Sequence, residues 1–271
     1  MPEIAEVETI KNDLISSAVF GQKIVDVKVY ASTLINEEKT NFIKQIKNRY
    51  LVDVLRKGKN LIFDLDSVYL LIHLKMTGHI FLKNQKDKLE KHEHIVINFE
   101  NGKKLVYYDP RRFGKLLLQK DLSILDKLGP DILSKDFVFD HFYETLKIKR
   151  KKIKTLLLDQ HFIAGLGNIY VDEVLFLSKL HPGKIADTVS KKDAKNLFSS
   201  IKEITLRAIK NRGTSLGKSK SNFASIFEDF GNHQNHLLVH TKKRCPKCFL
   251  KIEKLKINQR TSHFCKNCQK L

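Results

Sequence analysis

The sequence predicts an α+β, multi-domain chain: an N-terminal helix and a β-sandwich of about eight strands, then a helical domain, then a small cysteine-bearing module. Three observations predict it. Strand-like runs and apolar–polar alternation extend from Lys23 to Leu118. Helical periodicity takes over after Leu128-Gly129-Pro130. All four cysteines lie beyond residue 244, in two C-x2-C pairs. The expected boundaries are 1–130, 131–235 and 236–271.

Residues 2–15 read as a helix, because Ile4, Val7, Ile10, Leu14 and Ile15 recur at helical spacing and Glu3 and Glu6 suit the positive end of its dipole. Val25, Val27 and Val29 alternate with Asp26 and Lys28, the pattern of a half-buried strand. Further strands are expected at 51–55, 61–65, 69–74, 95–99, 104–108 and 115–118, with Asn101-Gly102 as a hairpin turn. Helices are expected at 136–146, 152–160, 168–178 and 189–211. Residues 212–235 are polar and rich in Gly, Ser and Asn, interrupted by a short apolar stretch at 223–227, and read as a mobile loop.

Cys245-Pro-Lys-Cys248 and Cys265-Lys-Asn-Cys268 are separated by sixteen residues. Two such knuckles close a tetrahedral site, so Cys245, Cys248, Cys265 and Cys268 are expected to hold one structural Zn2+ per monomer. All four ligands are thiolates, which leaves no open position for catalysis at the metal. The 36-residue module they close is too small to fold well without it. It carries ten Lys and Arg against the single Glu253, so contact with phosphates is expected too.

The net charge of +20, from 50 Lys+Arg against 30 Asp+Glu, points to a polyanionic partner. No apolar run reaches the ~18 residues of a transmembrane helix, and the start lacks the features of a signal peptide. A cytoplasmic protein that binds nucleic acid, with no membrane role, is therefore expected. The N-terminal Met1-Pro2-Glu3 adds chemistry. With Met1 removed, Pro2 presents a secondary amine whose pKa, near ~8, leaves an appreciable neutral fraction. Such an amine can attack a sugar C1′ and form a covalent iminium. Glu3 and Glu6 stand beside it, ready to hold or move protons. Proline at position 2 also simply suits Met removal and the start of a helix.

The opening Met1-Pro2-Glu3-Ile4-Ala5-Glu6-Val7-Glu8-Thr9 resembles that of bacterial formamidopyrimidine-DNA glycosylase, the 8-oxoguanine DNA glycosylase family. The likeness continues in Arg56-Lys57-Gly58-Lys59, His73-Leu74-Lys75-Met76-Thr77-Gly78, Lys91-His92-Glu93-His94 and Asp109-Pro110-Arg111-Arg112-Phe113-Gly114. It resumes at Leu128-Gly129-Pro130-Asp131, at Ala164-Gly165-Leu166-Gly167-Asn168-Ile169-Tyr170, and at Gln259-Arg260-Thr261 in the cysteine module. These blocks span the chain in the family's order.

The resemblance implies a bifunctional DNA glycosylase and abasic-site lyase of base-excision repair, acting on double-stranded DNA that contains oxidised purines or abasic sites. It also implies a helix–two-turn–helix motif in the middle domain and a monomer associated with the bacterial nucleoid. Pro2 would form the Schiff base, Glu3 would move protons with Glu6 as a secondary carboxylate, and Lys59 would serve β-elimination. Arg260 would assist δ-elimination; because Arg is always protonated, it reads as an electrostatic clamp on the leaving phosphate. Met76, Arg111 and Phe113 would fill the void left by the flipped base. His92, Arg111, Lys149, Lys154, Asn168, Tyr170 and Arg260 would contact DNA. His94, His161 and His181 read as structural or surface residues.

Three departures stand out. Ala5 replaces a usual proline. Residues 217–222 replace the family's Arg-Asp-aromatic segment in the loop 214–235 expected to cover the flipped base. Thr241-Lys242-Lys243-Arg244 replaces a Gly-rich approach to Cys245. The competing readings are an endonuclease VIII-like glycosylase of oxidised pyrimidines and a non-catalytic zinc-ribbon binder of nucleic acid.

Overall fold

The computed structural model describes residues 2–217 and 222–271, so part of the departure at 217–222 lies outside the described residues. The chain divides into two compact units: Met1–Asp126 with Asn211–Asn232, and Lys127–Lys210 with His233–Leu271. Asn211–Asn232 belongs with the N-terminal unit, and the cysteine module with the helical one.

In the first unit, α1 (Ile4–Ile15) precedes β1 (Ile24–Val29), α2 (Lys39–Ile46), β2 (Asp53–Lys57), β3 (Asn60–Asp64) and β4 (Tyr69–His73). Then follow β5 (His79–Asn84), β6 (Glu93–Phe99), β7 (Lys103–Tyr108) and β8 (Lys115–Gln119). Two four-stranded antiparallel sheets result, in orders β1-β6-β7-β5 and β2-β3-β4-β8. Inward side chains of both, including Val54, Phe63, Ile72, Ile97, Phe99 and Leu105, share one core with Val7, Ile10 and Leu14 of α1. Val25 departs from the expected alternation. A register shift between Ile24 and Asp26 sends Ile24 and Val27 inward and leaves Val25 at the surface.

The segment expected to be a mobile loop is partly core. Phe223 and Ile226 join the sandwich core, and the Leu82 amide donates to the Ile226 carbonyl at 2.8 Å. Ala224 packs on Phe81 and Tyr108, on the sheet that contains β5 and β7. Near its start, Arg212 grips Asp13 of α1 with Nη2 at 2.9 Å from both carboxylate oxygens. The apolar stretch 223–227 is the sequence signal for this anchoring.

The second unit contains α3 (Phe139–Lys147), α4 (Ile153–Leu158), α5 (Asn168–Leu177) and α6 (Lys191–Lys210), then the hairpin β9 (Glu253–Ile257) and β10 (Arg260–Phe264). Helix α5 is buried nearly all round, whereas α6 buries one stripe: Ala194, Leu197, Ile201, Ile204 and Ala208. Expected helix ends fall within a few residues of those observed. Phe63, 1 % exposed, is a direct probe of the sandwich. Phe63→Ala should cost about 3–5 kcal/mol, read as a lowered urea midpoint; an unchanged midpoint would contradict the shared core.

Candidate active site and metal centre

Pro2 and Glu3 immediately precede α1, and both are buried. The Glu3 amide donates to Glu6 Oε2 at 2.7 Å, and Glu6 Oε1 accepts from the Thr214 amide at 2.7 Å. One carboxylate thus ties the start of the helix to the segment after α6. Gly213 makes the approach possible. Its φ is +79°, and a Cβ there would lie 2.8 Å from Glu6 Oε1.

Lys59 lies in the two-residue turn closed by the Lys57–Asn60 pair, where Gly58 takes φ +60°. It is 7 % exposed. Arg56 connects this turn to α1: its Nε lies 2.6 Å from Glu8 Oε2, and its Nη1 donates to the Gly58 carbonyl at 2.9 Å. Helix α1 packs on β2 and β3. The elements bearing Pro2, Glu3 and Lys59 are therefore joined by a buried ion pair as well as by the core. Burial, with the Lys75 and Lys59 ammoniums, pushes the His73 imidazole down to about 4. A neutral ring then accepts the Lys75 amide at Nδ1, 3.0 Å away.

Met76 and Phe113 stand out at the surface, 46 % and 47 % exposed. Arg111 joins them: its Nη1 lies 3.9 Å from Met76 Sδ, and its guanidinium carbon lies 4.3 Å from the centre of the Phe113 ring. Lys75 and Arg112, beside these residues, take left-handed φ values of +52° and +54°. For non-glycine residues that costs about 1 kcal/mol each. His92, also left-handed at φ +74°, meets Tyr108 and His94 edge-on.

In the second unit Arg260 follows a two-residue turn, Asn258-Gln259, in which both φ values are positive. Its side chain is exposed. The next carbonyl, of Thr261, accepts from Asn168 Nδ2 at 3.1 Å and from Lys154 Nζ at 3.0 Å. Lys149 is half-buried. Lys154 and Tyr170 depart from the expected role of direct phosphate contact, since both are 0 % exposed. Lys154 is spent on a buried pair, with Nζ 2.6 Å from Asp172 Oδ1, and Tyr170 packs edge-on against His233.

Asp172 Oδ2 also accepts from His240 Nδ1 at 2.8 Å and from the amide and Nδ1 of His263, each at 3.1 Å. Burial pushes this carboxyl up, but the two imidazoles and the Lys154 ammonium prevail and hold it below the usual carboxylate range. The adjacent Glu173 accepts the amides of Leu238, Val239 and His240.

The four cysteines are free thiols whose sulfurs all lie within 4.8 Å of one another. Cys245 and Cys268 are 3.8 Å apart, and Cys248 and Cys265 3.4 Å. Zinc bonded tetrahedrally to sulfur at ~2.3 Å requires sulfurs roughly 3.8 Å apart, so the set fits one zinc ion. A hydrogen bond from the Leu250 amide draws the Cys248 thiol down to about 6, whereas burial and its sulfur neighbours push Cys268 up to about 12. Phe176 of α5, Val239 and Ile252 pack around the cluster.

Three family models cover this chain. Residues 1–116 match the formamidopyrimidine-DNA glycosylase N-terminal domain, 128–220 its H2TH domain, and 242–271 a zinc finger found in FPG and IleRS. A formamidopyrimidine-DNA glycosylase of Protochlamydia amoebophila is 39 % identical, with all of both chains covered. The chain belongs to the formamidopyrimidine-DNA glycosylase family. A Ligilactobacillus salivarius member is 38 % identical over 99 % of each chain. Among solved structures, Lactococcus lactis Fpg with abasic-site DNA superposes with a TM-score of 0.92 at 35 % identity, over 99 % of this chain and 100 % of that one. A point mutant of the same Lactococcus protein, in complex with Fapy-dG DNA, gives 0.93 at 35 % identity, with both chains fully covered. The alternative of a non-catalytic zinc-ribbon binder of nucleic acid is thereby set aside.

Sequence reading missed Glu8, Arg56, Thr77, Asp109, Asp172 and Glu173 as organising groups. Each is polar at a position where the apolar pattern gave no warning of burial. The only signal was location, inside or beside the recognised motifs. Because the thiols must ionise to bind metal, zinc uptake by the metal-free protein should release protons and tighten as pH rises from about 6 to about 8. A competition titration against a chelator whose result does not change with pH would contradict this.

Proposed function

We propose that the chain, with Met1 removed, is a bifunctional DNA glycosylase and abasic-site lyase that uses Pro2 to excise oxidised purines, 8-oxoguanine and formamidopyrimidines, from duplex DNA. The observation that carries most weight is the start of α1. A proline and two carboxylates are buried there together, and Glu8 and Arg56 tie the helix to the Lys59 turn.

The Pro2 nitrogen attacks C1′ of the damaged nucleoside, the glycosidic bond breaks, and the base departs with a proton. An iminium between Pro2 and the sugar remains. Glu3 serves proton transfers around base departure and ring opening. Lys59 serves removal of the C2′ proton as the 3′ phosphate leaves in β-elimination. Arg260 holds the second leaving phosphate as δ-elimination expels it. Hydrolysis then frees Pro2. Glu6 acts by fixing the Glu3 and Thr214 amides.

Flipping a base costs a few kcal/mol and leaves a hole in the stack. Met76, Arg111 and Phe113 form the exposed cluster suited to fill it, with Phe113 as the apolar wedge and Arg111 toward the orphaned base. His92 contacts phosphates, as do Lys149, Asn168 and Arg260 of the second unit, where Lys154 and Tyr170 lend support from within. Zinc, when bound to the four cysteines, keeps the ribbon folded and so keeps Arg260 in place. On this reading the enzyme acts as a monomer on nucleoid DNA in the bacterial cytoplasm. No helix among the described residues is long and apolar enough to cross a membrane.

Borohydride trapping on an 8-oxoguanine·cytosine duplex tests the nucleophile. Pro2→Gly should lower trapping at least ~100-fold while duplex affinity changes far less. Equal trapping by the variant, or an adduct mapped to another residue, would refute the assignment. A panel including oxidised pyrimidines tests lesion class, and faster excision of those than of oxidised purines would reverse it. Affinity should fall steeply with salt, with a log–log slope of about 0.9 per phosphate neutralised. A flat response would count against a lysine- and arginine-driven grip.

A further inference from the structure

Met76 and the pair Arg111 and Phe113 lie on two different loops. Met76 is in the turn between β4 and β5, and Arg111 and Phe113 are in the loop between β7 and β8. Contacts among the three exposed side chains are a long Arg111–Met76 approach and the guanidinium stacked on the Phe113 ring. Such tips do not hold two loops in register by themselves. What lies beneath them does.

Asp109, 0 % exposed, follows β7 directly, at the buried base of the β7–β8 loop. Its Oδ1 accepts the Thr77 hydroxyl at 2.6 Å and the Arg111 amide at 3.2 Å. Its Oδ2 accepts the Gly114 amide at 2.8 Å and faces the Tyr107 hydroxyl at 3.4 Å. The Asp109 carbonyl accepts the Arg112 amide at 3.2 Å and His94 Nε2 at 3.0 Å, and its amide donates to the His92 carbonyl. One side chain thus bonds to both loops, and its backbone bonds to the turn that carries His92.

Close packing reinforces the arrangement. A Cβ added at Gly78 would fall 2.4 Å from the Tyr107 hydroxyl oxygen, and one added at Gly114 would fall 1.6 Å from it. Both loops therefore press on the same buried phenol. Lys75 and Arg112 hold left-handed conformations that persist only where their surroundings over-determine them.

We propose that Asp109 is the positioning residue of the void-filling wedge, its buried carboxylate locking the Met76 loop and the Arg111–Phe113 loop into one preformed unit. This rests on the wedge role given above to Met76, Arg111 and Phe113. A carboxylate is the group the position requires. It offers acceptor sites on both oxygens, and four donors converge on it. An amide would turn an N–H toward the donors on one side. Among the described residues, Thr77 is the single side-chain link from the Met76 loop to that carboxylate, so its hydroxyl should matter to the wedge.

The test separates steps that must fill a stack from those that need not. With the zinc-loaded full chain, single-turnover excision of 8-oxoguanine opposite cytosine is measured, with 2-aminopurine beside the lesion reporting stack opening. Borohydride trapping on a single-stranded abasic oligonucleotide, which has no partner strand and no void, is measured in parallel. Thr77→Val should slow duplex excision at least about tenfold and blunt the 2-aminopurine signal, the scale of losing a hydrogen bond to a charged group. Single-strand trapping should stay within about twofold, and Thr77→Ser should restore the duplex rate.

Asp109→Asn should act in the same direction and more strongly; should it not fold, the Thr77 pair decides alone. Met76→Ala and Arg111→Ala should likewise slow duplex excision and blunt the 2-aminopurine signal. If they do and Thr77→Val does not, the role of Asp109 is overturned and the wedge stands. If Thr77→Val lowers both activities equally, its effect is general and the proposal also falls. If neither Met76→Ala nor Arg111→Ala slows duplex excision, the wedge reading itself fails, and the proposal with it.

Discussion

A carboxylate removed from water must be met by donors, and this structure depends on that constraint at each place where chemistry is expected. An unpaired buried acid costs several kcal/mol, so its partners cannot drift without penalty. Glu6 holds the amide of Glu3 and that of Thr214. Glu8 holds Arg56, which holds the Gly58 carbonyl of the Lys59 turn. Asp109 gathers the two loops that carry Met76, Arg111 and Phe113. Asp172 collects Lys154, His240 and His263, and the adjacent Glu173 takes three consecutive backbone amides leading toward Cys245. In each case the acid fixes neighbouring backbone or side chains in place.

Charge is divided accordingly. The surplus of +20 marks a protein suited to a polyanion, and Lys and Arg outnumber the acids by 50 to 30. Several acids are drawn inside, where they organise backbone and leave the surface more basic than composition alone conveys. Lys154 shows that the converse also occurs. A lysine in a basic run is buried completely, and its charge is spent on Asp172 and the Thr261 carbonyl. It thereby fixes the strand that begins with Arg260. Composition counts both kinds of lysine alike.

Much of this architecture is legible in the chain. Alternating and continuous apolar runs mark seven of the eight sandwich strands, and helical periodicity marks α1 and α3 to α6. Two C-x2-C knuckles mark the metal site without any distance. Helix α2 and strand β5 escape the pattern. The first is short with few apolar positions, and the second follows directly on the His73–Gly78 motif. The anchored segment 223–226 reads as loop because its neighbours are polar. Its apolar residues pack far away in sequence, on Phe81, Tyr108 and the sandwich core.

The sequence by itself determined most of the elements, the cysteine set, the basic character and the motifs that place the chain in its family. All of these are local: periodicity, spacing and composition operate over a few turns or a few residues. Only the tertiary structure decided which polar residues are buried and whom they hold. It decided that Asp109 joins two loops, that Arg56 connects a helix to a turn, and that Lys154 and Tyr170 face inward. Thr214 and Glu6 are 208 positions apart, and Asp172 and His263 are 91 apart. Such pairs follow from packing a whole unit, because burial is a property of the folded surface and no stretch of chain carries it alone.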